Sequence, residues 1–328
     1  MTHGFMGRAI HAAIALMAGL ALLGAGSTVR AAYPDHPVRI INPYGPGGSG
    51  DNIHRLIAQK LSERTGTNFL VELKTGAAGR ITYDYVAKSA PDGYTLAATD
   101  PGYSILPSMY SKLGWDHAND LVPVTMMART PHAVVANAGS RFKSLADLVD
   151  YARANPGKVT FGHSGAGTTG FVLMQQFMRE AKINLTSVPY KSGADALAAV
   201  LGNSIDLMVT GAPTIIGTMK GGSVRVLAMT SGARWPGAEE IPTMVEQGYN
   251  VVLYLWFGLM APKNTPPAVL DFLHKNATAA LEDPRVKEAL AGQAAQGVGI
   301  GPAEMKHVMQ NDAKAWGQIL KDANITPD

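Results

Sequence analysis

The stretch VRIINPYGPGGSGD, residues 38–51, decides the architecture. Val38 to Pro43 has the length and β-branched content of a short buried strand. Gly45-Pro46-Gly47-Gly48-Ser49-Gly50 is a glycine-rich turn, and Asp51 suits a helix cap ahead of Ile53, Leu56, Ile57 and Leu61, which fall at helical spacing. A strand, a glycine turn and a helix make an anion site, because N–H groups at a helix N-terminus point outward and glycine lets a ligand approach. The unit recurs about 120 residues on: a strand at Val159–Gly162, the turn Ser164-Gly165-Ala166-Gly167-Thr168-Thr169-Gly170, and a helix at Phe171–Ala181.

Strands and helices alternate around both units. After the first, strands are expected at Asn68–Leu73 and Thr95–Thr99, with a helix at Tyr83–Ala90 stopped by Pro91-Asp92-Gly93. The second is preceded by a strand at Ala133–Ala136 and a helix at Leu145–Ala154. It is followed by strands at Leu185–Tyr190, Ile205–Val209, Val224–Met229 and Val252–Met260, with a helix at Ala194–Leu201. Three closing helices, Pro267–Leu281, Pro284–Gln293 and Pro302–Ala323, each open on a proline. The pattern is α/β, a mostly parallel sheet covered by helices. The expected division is one lobe of residues 32–130 plus 252–328 and another of 131–251.

The chain has 328 residues, of which 46% are hydrophobic and 16% charged, so it is neither disordered nor fibrous. It has no cysteine, which excludes disulfides, thiolate metal sites and cysteine nucleophiles. Residues 1–31 read as a secretory signal: Arg8, the uncharged apolar run Ala12–Gly26, and a cleavage point after Ala31. The run is 15 residues, short of the roughly 20 that span a bilayer. Cleavage removes Arg8 and Arg30 and no acid, so 28 basic against 25 acidic residues falls to a net charge of +1. That balance, with no Lys/Arg run, gives no footprint for nucleic acid. The mature chain is expected in the periplasm, monomeric and not inserted in the membrane.

Gly45, Gly47 and Gly50 match the dinucleotide fingerprint, as do Gly165, Gly167 and Gly170. Asp51 would set a negative charge where a pyrophosphate sits, and Tyr190-Lys191 stands where the second unit would need an acid. No loop ends in Gly-Lys-Ser/Thr, and no histidine pair has metal spacing. No cofactor and no metal are expected. Gly162-His163-Ser164-Gly165-Ala166 nearly completes a nucleophile elbow, so an exported serine hydrolase using Ser164 is the alternative from another class. The leading reading is a clamp without catalysis. Each loop offers N–H donors and hydroxyls (Ser49; Ser164, Thr168 and Thr169) to a small carboxylate that closure of the lobes buries.

Several motifs carry a resemblance: Tyr33-Pro34-x-x-Pro37-Val38-Arg39-Ile40-Ile41-x-Pro43, Pro46-Gly47-Gly48 with Asp51, Pro91-Asp92-Gly93-Tyr94-Thr95-Leu96, Ser164-Gly165-x-Gly167-Thr168, Val188-Pro189-Tyr190-Lys191, Asp206-Leu207-Met208 and Gly258-Leu259-Met260-Ala261-Pro262. Together they resemble the receptors of tripartite tricarboxylate transporters, also called Bug proteins, over essentially the whole mature chain. The resemblance implies a two-lobed periplasmic-binding-protein fold of type II character with the ligand between the lobes. It also implies delivery to a membrane permease, and no catalysis. It places the ligand carboxylate on the loops Tyr44 to Asp51 (Tyr44, Gly47, Gly48, Ser49, Asp51) and Ser164 to Thr169 (Ser164, Gly165, Ala166, Gly167, Thr168, Thr169). A di- or tricarboxylate, or an aromatic carboxylate, is the implied ligand class. Thr210-Gly211 replaces an Asp-Ser that many members carry, and Asp100 stands where Ser or Thr is common. Facing the cleft, Asp100 would accept from a ligand hydroxyl, amine or protonated acid; otherwise it shapes the turn before Pro101-Gly102. His163 and Thr210 join the candidate ligand contacts, and Tyr103, Trp256 and Phe257 are candidates to stack on a flat ligand or to pack in the core.

Overall fold

The strand that opens the chain, β1 (Val38–Asn42), lies parallel between β2 (Phe69–Leu73) and β3 (Thr95–Thr99). Covered on both faces, it buries Val38, Ile40 and Ile41, which is why it reads as a continuous apolar run. Between β1 and β2 runs α1 (Ser49–Thr65), with Ile53, Ile57 and Leu61 buried. Each such side chain contributes roughly 1.5–3 kcal/mol by leaving water. The computed structural model describes residues 33–165 and 167–325. The expected signal segment, residues 1–31, and Ala166 lie outside the described residues.

A 10-stranded sheet runs β2-β1-β3-β9-β4-β7-β5-β6, with β10 and β8 also paired to β4. The strand that unites it is β4 (Leu121–Asn137), 17 residues long. Its first part, Leu121 to Pro131, pairs antiparallel with β9 (Tyr254–Pro262), and β10 (Gln296–Ile300) pairs with Met126 to Arg129. Its second part, from His132, pairs with β7 (Leu207–Gly211) and β8 (Val224–Met229). Beyond β7 lie β5 (Thr160–His163) and β6 (Thr186–Pro189), both parallel. Two half-sheets therefore share one strand, and the partner change falls at Pro131–His132.

Helices flank both halves: α2 (Arg80–Ala87) and α3 (Gly102–Met109) in the first; α4 (Leu145–Ala154), α5 (Thr169–Ala181), α6 (Gly193–Leu201) and α7 (Ala212–Lys220) in the second; and α8 (Pro267–Leu281), α9 (Pro284–Gly292) and α10 (Pro302–Asp322) near the C-terminus. The sharp start of α4 has a local cause. Ser144 accepts from Asp147 N–H while Asp147 accepts from Ser144 N–H, a reciprocal capping box.

Five features differ from the sequence reading. The strand expected at 133–136 is 17 residues long, because the first part of β4 is interrupted in sequence by Pro123 and Pro131, which hide a strand that tolerates the first beside a register shift and the second where it changes partners. A helix, α3, follows Asp100 where the sequence suggests only a turn; Pro101 and Gly102 open it and Pro107 lies inside it. The strand β10 reads Gln-Gly-Val-Gly-Ile, too rich in glycine to be recognised, and α7 likewise has no counterpart in the expected elements. Asp51 is not the cap of α1. The helix starts at Ser49 with Gly48 as cap, and Asp51 sits in the first turn, reaching back to accept from Gly47 N–H at 3.1 Å.

Candidate functional site

The C-terminal ends of β1, β3, β5 and β7 converge on one cavity, and the helices that follow β1, β5, β6 and β7 present their N-termini to it. Gly48, Ser49 and Gly50 open α1; Thr168, Thr169 and Gly170 open α5; Ser192 and Gly193 open α6; Gly211 caps α7; all line the cavity. Only Ser192 uses its side chain to cap its own helix. The caps of α1, α5 and α7 make no such bond. Their first-turn N–H groups are thus available to an anion, and the aligned peptide dipoles add to the attraction. Among the described residues the lining contains no Lys or Arg. Neutral donors hold an anion without burying a charge that would be unpaired before the ligand arrives.

The two half-sheets meet across this cavity. Ser49 Oγ donates to the Gly211 carbonyl at 3.0 Å and lies 2.8 Å from Thr214 Oγ1, tying α1 to α7. Asn52 Nδ2 adds a bond to the Pro213 carbonyl at 3.4 Å. Gly45 approaches Ser192 so closely that a Cβ there would stand 3.0 Å from the serine Cβ. The cavity left between them encloses about 50 Å³.

Of the candidate ligand contacts, Tyr44, Gly48, Ser49, Asp100, Ser164, Thr168, Thr169 and Thr210 line the cavity. The remaining described candidates stand behind it. Asp51 is buried and spends its carboxylate on Gly47 N–H, Asn42 Nδ2 and the Arg55 guanidinium, which fixes the turn rather than the ligand. Gly47 is exposed, with φ at +74°, a conformation that favours glycine. Gly165 donates its N–H to His163 Nδ1, and Gly167 packs against Ala78. His163 itself is 2% exposed, between Phe161 and Phe171, and burial lowers its pKa. It holds the second loop from beneath instead of reaching a distal carboxylate. Phe257 reaches the cavity wall. Tyr103 does not: its hydroxyl donates to the His117 carbonyl at 2.7 Å and its ring stacks on His117. Trp256 turns away as well, donating to Asp312 at 2.7 Å.

His132 is the wall residue that sequence reasoning misses. It lines the cavity, its Nε2 lies 2.9 Å from Thr169 Oγ1, and burial lowers its pKa to about 4, so the ring is neutral. The available signal is a lone histidine in the apolar run before Ala133. Asp100 is the sole carboxylate in the lining among the described residues. It is 7% exposed. Its Oδ1 accepts from Gly102 N–H at 2.7 Å and from the Tyr44 hydroxyl at 3.1 Å. Burial pushes the carboxyl up to about 7, against the pull of those two donors.

A profile of the tripartite tricarboxylate transporter family receptor matches residues 53–325. The chain belongs to that family. The receptor is 32% identical to the protein BugT of Bordetella pertussis, over 88% of this chain and 90% of that one. It is 31% identical to a protein encoded in the tcbD–tcbE intergenic region of Pseudomonas sp. strain P51, over 94% of each chain. Among solved structures, the periplasmic binding protein BugD superposes with a TM-score of 0.86 at 29% identity, over 90% of this chain and all of that one. Rhodopseudomonas palustris Rpa4515, solved with adipate, superposes with a TM-score of 0.87 at 31% identity over the same shares. The family is one of solute-binding receptors, and this receptor is not an enzyme. The geometry agrees against the hydrolase alternative: the nitrogens of His163 and His132 that make contacts meet Gly165 N–H and Thr169 Oγ1, not Ser164.

Proposed function

We propose that the receptor captures a small carboxylate in the periplasm and delivers it to the permease of a tripartite tricarboxylate-type transporter. The observation that carries this reading is the cavity wall: four helix N-termini with serine and threonine hydroxyls, and no Lys or Arg in the lining among the described residues. The lobes of this reading are residues 32–130 with 252–328, and 131–251, hinged where β4 changes partners and closing on the ligand. A relative at 31% identity was solved with adipate, which supports a dicarboxylate. A cavity of about 50 Å³ holds roughly three or four waters. That is room for one carboxylate group, and the rest of a dicarboxylate requires the walls to part.

The test is a thermal-shift screen of residues 32–328 against aliphatic and aromatic mono-, di- and tricarboxylates. A ligand at about 100 times its Kd adds about 2.7 kcal/mol, a rise of several degrees at this size. A rise confined to carboxylates supports the reading; a rise with esters or amines alone overturns it. Ser164 supplies one hydroxyl on the α5 side, so Ser164→Ala should weaken carboxylate binding by about 1–3 kcal/mol, read by calorimetry. An unchanged Kd removes Ser164 from the ligand contacts.

A further inference from the structure

Asp100 is the one group in the cavity that a carboxylate clamp does not explain. Apart from the neutral His132 ring, the other polar side chains of the lining are hydroxyls, yet a carboxyl is set among them. Both protein donors to Asp100, Gly102 N–H and the Tyr44 hydroxyl, fall on Oδ1. Among the described residues no donor meets Oδ2, and Asp100 forms part of the cavity wall. One oxygen that takes two donors while the other takes none is the arrangement of a carboxylic acid. Oδ1 is then its carbonyl oxygen and Oδ2 its hydroxyl.

We propose that Asp100 recognises the far end of the ligand as a neutral acid, donating its Oδ2 proton to an acceptor oxygen, so that the receptor takes up a proton with its ligand and prefers a second carboxylate to an ammonium. The proposal rests on the carboxylate-receptor reading above and adds the second recognition element to it. A buried acid–carboxylate hydrogen bond is short and strong, and it removes the repulsion that an ionised Asp100 would impose. No new covalent bond to the ligand forms; above neutral pH the proton comes from solvent.

The surroundings offer no other source for this behaviour. From the first half, Tyr44, Tyr83 and His54 pack near Asp100, and the Asp51–Arg55 pair is satisfied within α1. His54 sets its ring nitrogens 2.6 Å from the Gly50 carbonyl and 3.1 Å from the Gly258 carbonyl, of which a neutral ring donates to one, and burial lowers its pKa. From the second half only His132 faces the cavity as a titratable group, and it stays neutral above about pH 4. Lys191, on the loop before α6, is exposed. Asp100 titrates near 7 without ligand, whereas dicarboxylates are fully ionised well below that.

The test uses adipate as the probe and calorimetry as the readout. Wild-type affinity should fall about 50-fold between pH 7 and pH 9, following the loss of the Asp100 proton. In Asp100→Asn the amide nitrogen replaces the hydroxyl as donor and the amide oxygen still accepts from Tyr44 and Gly102. The variant should bind within about threefold of wild type near pH 6, and its affinity should be flat to pH 9. Should the variant not fold, the wild type alone decides. Titrations near pH 8 in two buffers of different ionisation heat should show close to one proton taken up per adipate. Adipate affinity flat with pH and without proton uptake would overturn the proposal while leaving the carboxylate receptor intact. So would 6-aminohexanoate, in which an ammonium replaces the second carboxylate, binding more tightly than adipate near pH 8. Absence of binding by any four- to eight-carbon dicarboxylate at any of these pH values would overturn both.

Discussion

Gly211→Val is expected to weaken ligand capture by about 30-fold or more while leaving the unliganded fold intact. Gly211 caps α7 with φ at −64° and ψ at 144°, a conformation any residue adopts, so the backbone carries no penalty. The obstacle is space. A Cβ there would stand 2.5 Å from Ser49 Oγ and 2.8 Å from Leu255 Cδ2. Ser49 belongs to α1 and Leu255 to β9, both on the first half-sheet, whereas Gly211 ends β7 on the second. The cost therefore falls on the apposition of the halves and on neither half alone. Overpacking of this kind costs about 1–3 kcal/mol, and displacing Ser49 Oγ forfeits two hydrogen bonds at about 0.5–1.5 kcal/mol each. Together they reach about 2–6 kcal/mol, or roughly 30-fold to more than a thousandfold in Kd. Gly211→Ala should fall between the valine variant and wild type. The measurements are the Kd for adipate and the melting temperature without ligand. An unchanged Kd would mean that the ligand does not sit beneath the Ser49–Gly211 contact.

The parts of this site that are legible in the sequence are the ones fixed by local rules. Glycine turns after apolar strands announce helix N-termini, so Gly48, Ser49, Thr168 and Thr169 are recognisable from the order of residues alone. Helices with clean apolar spacing, such as α4 and α8, are legible to the residue. What escapes depends on contacts between distant segments. His132 enters the cavity because β4 changes partners beside it, and the prolines at 123 and 131 disguise that strand. Gly211 and Ser192 join the wall because α7 and α6 begin there, and α7 opens on Ala212-Pro213 with no capping side chain to announce it. The placing of other loop residues has the same origin. His163 and Asp51 sit inside the loops that resemble the family's binding loops, yet each turns inward to hold its loop in shape. Sequence locates the loop; which side faces the ligand is set by what packs behind it.

That packing has a second consequence, in the stability of the unliganded receptor. Asp100 and His132 are both buried neutral, and they oppose each other across the pH scale. Below pH 4 Asp100 is protonated in folded and unfolded chains alike, so its contribution to stability is whole. As pH rises the unfolded chain ionises near 3.8 while the fold holds the proton to about 7. Stability falls by about 1.4 kcal/mol per pH unit across that window, about 4 kcal/mol in all. For His132 the folded pKa is depressed from 6.5 to about 4. Its contribution is whole above 6.5 and is lost, at the same rate, as pH falls toward 4, about 3 kcal/mol in all. Between pH 4 and 6.5 the two slopes cancel, and the wild type should show little change there from this pair. Each variant exposes the other's slope. Asp100→Asn should grow more stable as pH rises from 4 to 6.5, and near pH 8 should exceed wild type by several kcal/mol. His132→Gln, which keeps a polar partner for Thr169, should instead lose stability as pH rises through the same interval. Urea unfolding at a series of pH values measures both. Equal stability of Asp100→Asn and wild type near pH 8 would mean that Asp100 ionises in the fold as readily as in water, and that the cavity is wetter than its walls imply.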